Sequence, residues 1–246
     1  MQALLLNHYL TDTDIANFAR QSFADLAANY TQAQNDNLVR YLARGVPGKE
    51  WDILVEKIMN GVADKSEAHQ LAVYLRSIPE HWVPFGHPHI TIRMRAPIPI
   101  KVQCFKHKIG FVESEESRRY ISTTPELFVP KTMRAAAANV KQGSAGAHSN
   151  GDYWKYRYQK QANEAIELYE LMIKEGVAAE QARFVLPQGC EAQWAWTGSL
   201  YAWAKAYVKR IDSHAQGEIQ DLFKEIGSII EPLFPVSWPA LTRGQY

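Results

Sequence analysis

The 246-residue sequence contains only two cysteines, Cys104 and Cys190. They do not form a CxxC pair, and their spacing is not that of metal ligands. Disulfide frameworks are typical of cysteine-rich chains that fold in oxidising compartments. We therefore expect no disulfide framework and a protein of the reducing cytoplasm.

Long apolar runs and a strong excess of one charge are also missing. The first ten residues, MQALLLNHYL, carry no basic stretch, and their apolar run is too short for a signal peptide. No segment approaches the ~20 apolar residues of a membrane span. The formal net charge of +1 argues against a general nucleic-acid or membrane-surface protein. We expect neither a nucleic acid nor a membrane among the partners.

Several common cofactor and catalytic motifs are absent. No GxGxxG follows a predicted strand, so a Rossmann dinucleotide site is not supported. The segment 45–50, GVPGKE, has the wrong length for a phosphate-binding loop and no hydroxyl residue after Lys49. No GxSxG nucleophile elbow is present. His87 and His89 would share one face of a strand, but without a third ligand they do not predict a metal site.

What is present predicts an α+β fold, with a mixed or antiparallel sheet flanked by long helices. In the segment 89–96, apolar residues alternate with polar ones, which is typical of a strand with one buried face. The predicted elements are strands over 2–10 and 89–96, a helix capped by 11–14, helices over 36–43, 49–59, 66–78 and 153–174, a short helix from Pro97 towards Phe105, and a C-terminal helix over 219–230. We expect one domain, 1–246, with a helical insertion at 46–80 and a surface loop or lid at 136–152.

Residues 106–120, KHKIGFVESEESRRY, concentrate ionic and hydroxyl side chains directly after an apolar segment. On a continuing helix, Gln103, Lys106 and His107 would share one face, because they are three and four residues apart. A turn with a hydroxyl and arginines at 117–119 suits a phosphate group. The alternative interpretation is a solvated, salt-bridged turn that binds no ligand.

Three distant segments carry related chemistry. Arg183 directly precedes the apolar run 184–187, and Arg210 directly precedes the segment IDSHAQ at 211–216. Residues 194–200, WAWTGSL, join a predicted strand to a helix, and the helix N-terminal amides there would face an anion. The tryptophans at 194, 196 and 203 could stack on a bound ring, but we expect them to pack in the core or at an interface.

Together these segments resemble the flavin-dependent thymidylate synthases. The resemblance runs in order through 17–23 (NFARQSF), 85–87 (FGH), 95–98 (RAPI), 103–108 (QCFKHK), 182–187, 196–197 and 210–216. The family signature is Arg-His-Arg followed by a serine. Here it is Lys-His-Lys and then Ser117, after an interval one residue longer, with Arg119 and Tyr120 closing it. The insertion at 46–80 is similar to that of a long-motif subgroup.

The resemblance implies the reductive methylation of dUMP to dTMP by an FAD-dependent methyltransferase. The one-carbon unit would come from 5,10-methylenetetrahydrofolate, and the electrons from NADPH through FAD. It also implies a homotetramer with active sites at subunit junctions, and a fold unlike that of other flavoproteins.

By the same resemblance, FAD would be bound by His89, Lys106, His107, Lys108, Glu115, Ser199, Leu200, Tyr201 and Lys205. The lysines at 106 and 108 cannot donate the paired, bidentate hydrogen bonds that arginines at these positions would form. Tyr201 and Lys205 stand where compact members of the family tend to have Arg and Asn. His87, within Phe-x-His, has either a role beside the flavin or folate or a structural one.

The resemblance assigns dUMP to Gln103, Lys106, Glu115, Glu116, Ser117, Arg118, Arg119, Arg183 and Arg210. The backbone amides of 116–118, with Ser117, Arg119 and Arg183, are expected on the nucleotide phosphate. Arg210 is expected to be the catalytic residue, because a guanidinium at the uracil edge stabilises negative charge at N3 and O2 and so enriches C5 in electrons. Cys104 then needs no catalytic role and is expected in the core or a site wall.

Two alternatives stay open. A flavin-dependent enzyme could act on another pyrimidine nucleotide with the same scaffold. A non-enzymatic nucleotide- or RNA-binding module could use Lys101, Lys106, Lys108, Arg118 and Arg119. The interleaved Glu113, Glu115 and Glu116 argue against the second alternative.

Overall fold

The computed structural model describes residues 1–21, 30–44, 57, 60–61, 81–138 and 143–242. The predicted helices at 49–59 and 66–78 fall almost wholly outside these residues, so the helical insertion stays a prediction. The described elements are β1 Gln2–His8, α1 Asp12–Gln21, α2 Gln32–Arg44, α3 Val83–Gly86, β2 His89–Pro97, α4 Ile98–Cys104, β3 Phe111–Glu115, α5 Gly151–Lys174, α6 Ala179–Ala182, a 3-10 turn Arg183–Val185, β4 Glu191–Ser199, α7 Leu200–Ile211, α8 Gly217–Ile230 and α9 Ser237–Thr242.

The strands form a four-stranded antiparallel sheet in the order β1-β2-β4-β3, which confirms the predicted α+β class. In β2, Ile90, Ile92 and Met94 are fully buried, while His89 and Arg93 on the opposite face are exposed. The alternation predicted for this strand is therefore confirmed. The predicted first strand is shorter than expected, because Leu10 adopts a positive φ of 73° that is incompatible with an extended chain.

Contacts divide the chain into two compact units, and the single domain expected from the sequence stays a prediction. Unit 1 comprises Met1–Leu6, Thr91–Thr197 and Lys209–Ile226. Its core is built on Trp194 and Trp196 of β4, which are almost fully buried. Phe111 stacks on Trp196 with ring centroids 4.3 Å apart, and Phe105 meets Trp194 edge-on at 5.6 Å. These contacts hold the start of the charged segment, up to Phe111, against the sheet, and they confirm that the two tryptophans pack in the core.

Unit 2 comprises Asn7–Ile90, Gly198–Val208 and Gly227–Tyr246. Ile15, Phe85 and Trp203 are fully buried in it, and α1 packs against α2. Trp203 Nε1 donates a hydrogen bond to Ile90 O at 3.1 Å, so its one polar atom is satisfied in the core. Trp203 is therefore also a core residue, as predicted.

The N-caps predicted at 11–14 are present. Thr11 donates from its amide and its hydroxyl to Asp14 Oδ2, at 2.7 Å each, which starts α1. Asp12 has a longer-range role: its carboxylate accepts hydrogen bonds from the amides of Val236 and Ser237 at 2.8 and 3.0 Å. One carboxylate thereby holds the N-terminus of α9 to the start of α1.

The long predicted helices are also present. The helix expected over 153–174 is α5, two residues longer at its start. The C-terminal stripe lies on α8, where Ile219, Leu222, Phe223 and Ile226 are buried. The helix ends at Ile230, before Pro232.

Candidate functional site

Unit 1 contains a cavity of about 480 Å³ beside the charged segment. It is lined by Ile98, Lys101, Glu115, Glu116, Ser117, Arg118, Arg119, Arg183, Leu186, Cys190, Glu191 and Ala192. The fold therefore brings the predicted residues 115–119 together with Arg183, which is distant in sequence. Gln103, Lys106 and Arg210 are not among the lining residues.

Most of the carboxylates that line this cavity already form ion pairs. Lys101 forms an ion pair with Glu115, and Glu191 Oε2 lies 2.7 Å from Arg95 Nε in an ionic contact. Of the three lining carboxylates, two are thus neutralised by cations other than the lining arginines. The three lining arginines therefore outweigh the remaining carboxylate, and the cavity favours an anion such as a phosphate group.

The turn after β3 displays its polar groups towards this cavity. Tyr120 N donates to Ser117 O at 3.0 Å, and the Arg119 Nε–H and backbone amide both reach Ser117 Oγ at 3.4 Å. Glu116 N donates to Gln193 O at 3.0 Å. That amide is therefore already bonded to β4, and of the backbone amides expected on the phosphate only those of Ser117 and Arg118 stay a prediction.

Two of the arginines are anchored by backbone carbonyl groups. Arg118 Nη1 donates to Thr123 O, and Arg183 Nε donates to Glu180 O at 3.2 Å. A guanidinium has five N–H groups, so one such bond orients the side chain without exhausting its donors. Both arginines are thus positioned before any ligand is bound.

Arg210 forms a second centre in unit 1. Its Nε donates to His107 Nε2 at 2.8 Å, and its Nη2 donates to Gln103 O at 2.8 Å. The expectation that Gln103, Lys106 and His107 share a helix face is wrong, because α4 ends at Cys104. The chain turns there through a hydrogen bond from His107 N to Cys104 O. Arg210, and not helical periodicity, brings Gln103 and His107 together.

The histidine of this centre is neutral at physiological pH. Burial, together with the nearby positive charges of Arg210 and Lys209, lowers the pKa of His107 to about 4. A neutral imidazole can accept the Arg210 hydrogen bond at Nε2 and donate from Nδ1. The arginine is therefore held by an uncharged partner and keeps its full positive charge for a ligand.

The two lysines of the charged segment are exposed. Lys108 Nζ lies 2.6 Å from Glu113 Oε1 and 5.3 Å from the centroid of the Phe105 ring. Lys106 lies two residues before it, just past the end of α4. Two solvent-facing cations on one short segment match the donor set that a pyrophosphate requires.

The remaining predicted flavin residues belong to unit 2. Ser199 and Leu200 are buried; Leu200 N donates to Pro88 O at 2.9 Å, and Ala202 N donates to Ser199 Oγ at 3.2 Å. These two amides at the start of α7 are satisfied within the protein, contrary to the expectation that they face an anion. Tyr201 and Lys205 lie one turn apart, with the ammonium 5.1 Å from the ring centroid.

The histidines of unit 2 are held by packing and by the backbone. The His87 ring stacks on Phe18 with centroids 4.3 Å apart, and His89 Nδ1 donates to His87 O at 2.8 Å. His89 is exposed. The stacking gives His87 a structural contact.

Sequence reasoning missed two residues beside these groups. Lys101 lines the cavity in unit 1 and was named only in the alternative of a nucleotide- or RNA-binding module, not among the dUMP or FAD residues. Lys101 lies one helical turn before Phe105, and this spacing was the sequence feature that could have placed it near the charged segment. In unit 2, Trp82 is 52% exposed and its ring centroid lies 5.8 Å from that of Tyr201. Trp82 could not be predicted as a site residue, because it belongs to no periodic pattern in the sequence.

Both cysteines are buried, and burial raises the pKa of each thiol. Burial raises the pKa of Cys104 to about 12, although Arg210 opposes the shift. Burial likewise raises the pKa of Cys190, a lining residue of the cavity, to about 11. The thiolate is the nucleophilic form, so burial disfavours the nucleophilic form of both side chains.

Within residues 1–21, 30–44, 81–138 and 143–242, no three His, Cys, Asp or Glu side chains cluster as metal ligands. The same described residues include no helix that is long and apolar enough to cross a bilayer.

Comparison with known proteins extends over almost the whole chain. Residues 4–236 match the family model described as "Thymidylate synthase complementing protein". The flavin-dependent thymidylate synthase of Thermosipho africanus (strain TCF52B) is 31% identical over 170 residues, covering 68% of this chain and 73% of that protein. The enzyme of the same name from Thermosipho melanesiensis is 28% identical over 194 residues, covering 76% of this chain and 81% of that protein.

A solved structure shares the fold. The crystal structure of the UMP/dUMP methylase PolB from Streptomyces cacaoi, bound with 5-Br dUMP, superposes with a TM-score of 0.76 at 22% sequence identity. The match covers 97% of this chain and 93% of that chain.

Proposed function

The chain belongs to the thymidylate synthase complementing protein family, that of the flavin-dependent thymidylate synthases, and we propose that it converts dUMP to dTMP by reductive methylation. In this proposal 5,10-methylenetetrahydrofolate donates the carbon and NADPH is the reductant. We assign dUMP and the flavin to the residues named from the resemblance.

The observation that carries the proposal is the cavity where Ser117, Arg119 and Arg183 meet. A nucleotide 5′-phosphate is a dianion at neutral pH and suits a hydroxyl and two guanidinium groups. Each charge-assisted hydrogen bond is worth about 1.5–3 kcal/mol. A few such bonds supply the roughly 8 kcal/mol of micromolar binding, so the phosphate can anchor the nucleotide while the base is positioned elsewhere.

Arg210 supplies the activating charge. Its guanidinium, oriented by His107 and by the Gln103 carbonyl, would lie at the uracil edge and stabilise negative charge that builds on N3 and O2. That polarisation enriches C5 in electrons, and C5 is the carbon that must attack the methylene group and lose its proton. A planar guanidinium suits this edge better than an ammonium because it can donate two parallel hydrogen bonds.

No cysteine attacks the ring in this proposal. Cys104 is fully buried, and the pKa of each cysteine lies far above neutral pH. Ring activation therefore rests on hydrogen bonding and charge and needs no covalent bond at C6.

The residues present fit FAD. Lys106 and Lys108 suit its pyrophosphate, and we assign His89, His107, Glu115, Ser199, Leu200, Tyr201 and Lys205 to the same cofactor. FAD, when bound, supplies the electrons that reduce the transferred carbon to a methyl group. The burial of Ser199 and Leu200 limits them to supporting the backbone around the cofactor.

The proposed assembly is a homotetramer with sites completed at subunit junctions. Tyr153, Trp154 and Tyr156 on α5 are each at least half exposed, which gives this helix an aromatic surface that a second subunit could cover. Sedimentation analysis of the flavin-loaded protein tests this part: a monomer at micromolar concentration would refute it.

A second candidate is methylation of UMP, because the methylase that shares the fold is described as acting on UMP as well as dUMP. The two nucleotides differ only at the ribose 2′ position. Parallel turnover assays with UMP and dUMP separate the two candidates.

The deciding experiment is tritium release from C5-tritiated dUMP by the FAD-loaded protein. Release should require both methylenetetrahydrofolate and NADPH. Arg210→Ala should lower it by about 10²–10³-fold while the protein stays yellow. Lys224→Ala, an exposed change on α8, is the matched control. Near-normal release by Arg210→Ala would remove Arg210 from the mechanism, and a protein that stays colourless with excess FAD would refute the flavin assignment.

A further inference from the structure

Helix α5 carries a stripe of exposed residues on the side that faces away from the rest of unit 1. Its opposite side packs onto the unit through Ala162, Ile166 and Tyr169, which are buried. The exposed residues follow one another at intervals of four and three, so they lie along one line of the helix. They are Tyr153, Arg157, Lys160, Glu164, Glu167 and Leu171. This set is called the α5 seam below.

The charges of the α5 seam change sign at its middle. Its N-terminal half carries Arg157 and Lys160, and its C-terminal half carries Glu164 and Glu167. Arg157 Nη1 donates to Tyr153 Oη at 3.0 Å, which holds the guanidinium on the helix surface and leaves most of its N–H groups for another acceptor. No described residue forms an ion pair with any of these four charges. The α5 seam therefore presents both signs of charge to an outside partner.

Both ends of the α5 seam are apolar. Tyr153 at one end and Leu171 at the other are each about half exposed. Trp154 and Leu168, which flank the α5 seam at these two ends, are also about half exposed. Large apolar side chains that line one exposed side of a helix indicate a surface that another protein covers.

The order of charges makes the α5 seam complementary to its own reverse. In an antiparallel pair of identical helices with the two-fold axis at the level of Ala162, each residue faces the one equally far beyond Ala162 in the second copy. Arg157 then faces Glu167 of the second copy, and Lys160 faces Glu164 of the second copy. The apolar ends meet in the same way, and the two-fold axis repeats each of these pairs.

The opposite orientation is disfavoured by the same residues. In a parallel pair each residue would face its own copy, so Lys160 would meet an ammonium and Glu164 a carboxylate. Like charges placed against each other repel and suppress that arrangement. The intervals of three and four residues are those of helices that pack side by side in a left-handed pair, and the 24 residues of α5 span about 36 Å.

We propose that the α5 seam binds the α5 seam of a second copy of this chain, antiparallel and about a two-fold axis. The inference goes beyond the reaction proposed above and does not rest on it, because no residue of the α5 seam lines the cavity or is assigned to dUMP or FAD. Side chains of the second copy have room at the middle of the α5 seam, where the helix surface forms a cavity of about 280 Å³. It is lined by Tyr156, Arg157, Lys160, Gln161 and Glu164.

The first test reverses one charge at a time and measures self-association of the full chain by sedimentation over a range of concentrations. Lys160→Glu sets two carboxylates against each other at both symmetric positions, and Glu164→Lys sets two ammonium groups there. Each variant should therefore associate at least about tenfold more weakly than the wild-type protein. An equimolar mixture of the two should associate as the wild type does, because each position then holds one ammonium and one carboxylate. Lys224→Glu, the same charge change on α8, is the control and should associate normally.

The second test measures the orientation by thiol cross-linking with a short bismaleimide. Arg157→Cys mixed with Glu167→Cys should be cross-linked, because these positions face each other in the antiparallel pair. Arg157→Cys alone should not, because its two copies would lie about 15 Å apart along the helix axis. The wild-type protein is the blank, since Cys104 and Cys190 are both buried.

Each of the following results would overturn the inference: a wild-type protein that is monomeric at micromolar concentration, a charge variant that associates like the wild type, or a mixture of the charge variants that does not associate. Cross-linking of Arg157→Cys alone that equals cross-linking of the mixture would also overturn it, since the helices would then not be antiparallel. The substituted positions are exposed, and circular dichroism checks that each variant is folded. Neither test uses dUMP or FAD, so neither result changes the standing of the proposed reaction.

Discussion

Arg210 Nε donates a hydrogen bond to His107 Nε2 across 2.8 Å, which joins α7 to the segment that follows α4. The bond requires a neutral imidazole, because an imidazolium has no lone pair to accept with. Burial and two neighbouring cations lower the pKa of His107 to about 4. The pair is therefore intact at neutral pH and is lost when His107 is protonated.

Folding stability should respond to pH through this pair. The pKa of His107 falls from 6.5 to about 4 on folding, so between these values the unfolded chain binds more protons than the folded one. The free energy of unfolding should then decrease as the pH drops through this window, and His107 should contribute no pH dependence above it. Urea unfolding at pH values above and within the window measures the slope.

The matched variant is His107→Asn, which keeps a polar group but cannot titrate. Its unfolding free energy should depend less steeply on pH within the window than that of the wild-type protein. Identical slopes for the two proteins would mean that His107 titrates alike in both states, and that its contact with Arg210 does not exclude the proton.

Local patterns in the sequence predicted several of the described elements. The alternation of Ile90, Ile92 and Met94 established β2, because a strand with one buried face must alternate. Thr11 and Asp14, among the predicted N-cap residues, marked the start of α1, where the Asp14 carboxylate accepts hydrogen bonds from its neighbour Thr11. Such features depend on interactions within a few residues and are therefore visible in the sequence.

Long-range contacts were not predictable in the same way. Nothing near Asp12 indicates that it caps α9, more than two hundred residues away in the chain. The helical face proposed for Gln103 and His107 failed because the turn at Cys104 is set by tertiary packing of Phe105 on Trp194. The resemblance to a family supplied the site residues that such contacts bring together, and physical patterns alone did not.

Substitutions in the cavity should lower the affinity for dUMP without lowering the affinity for FAD. Ser117→Ala and Arg183→Ala each remove a group assigned to the dUMP phosphate, so each should weaken dUMP binding about 10- to 100-fold. FAD affinity should change little, because neither residue is assigned to the flavin. Calorimetry with each ligand measures the two affinities, and Arg157→Ala on the exposed face of α5 is the control. Loss of FAD binding with dUMP binding retained would invert the assignment of the two sites.

The cysteines should be dispensable for turnover. Cys104→Ala and Cys190→Ala should each retain dTMP formation, because burial keeps both thiols protonated at neutral pH. Cys104→Ala should lower the free energy of unfolding, since it leaves a small cavity in the core. Initial rates and urea unfolding of the two variants measure these effects separately. A variant that unfolds like the wild-type protein but has lost turnover would show that its thiol takes part in the chemistry.

Packing in unit 2 should depend on the glycine of α8 that faces α7. A Cβ added at Gly227 would stand 2.6 Å from Cε2 of Tyr207, whose ring is itself packed edge-on against Trp238 at 5.0 Å. Tyr207 cannot move away without disturbing Trp238, so Gly227→Ala should lower the free energy of unfolding by about 1–3 kcal/mol. Gly146→Ala is the control, because its added methyl group meets no atom within 4 Å. Urea unfolding of both variants checks the difference. Equal stability of the two would mean that α7 and α8 are not packed as closely as the Gly227–Tyr207 contact requires.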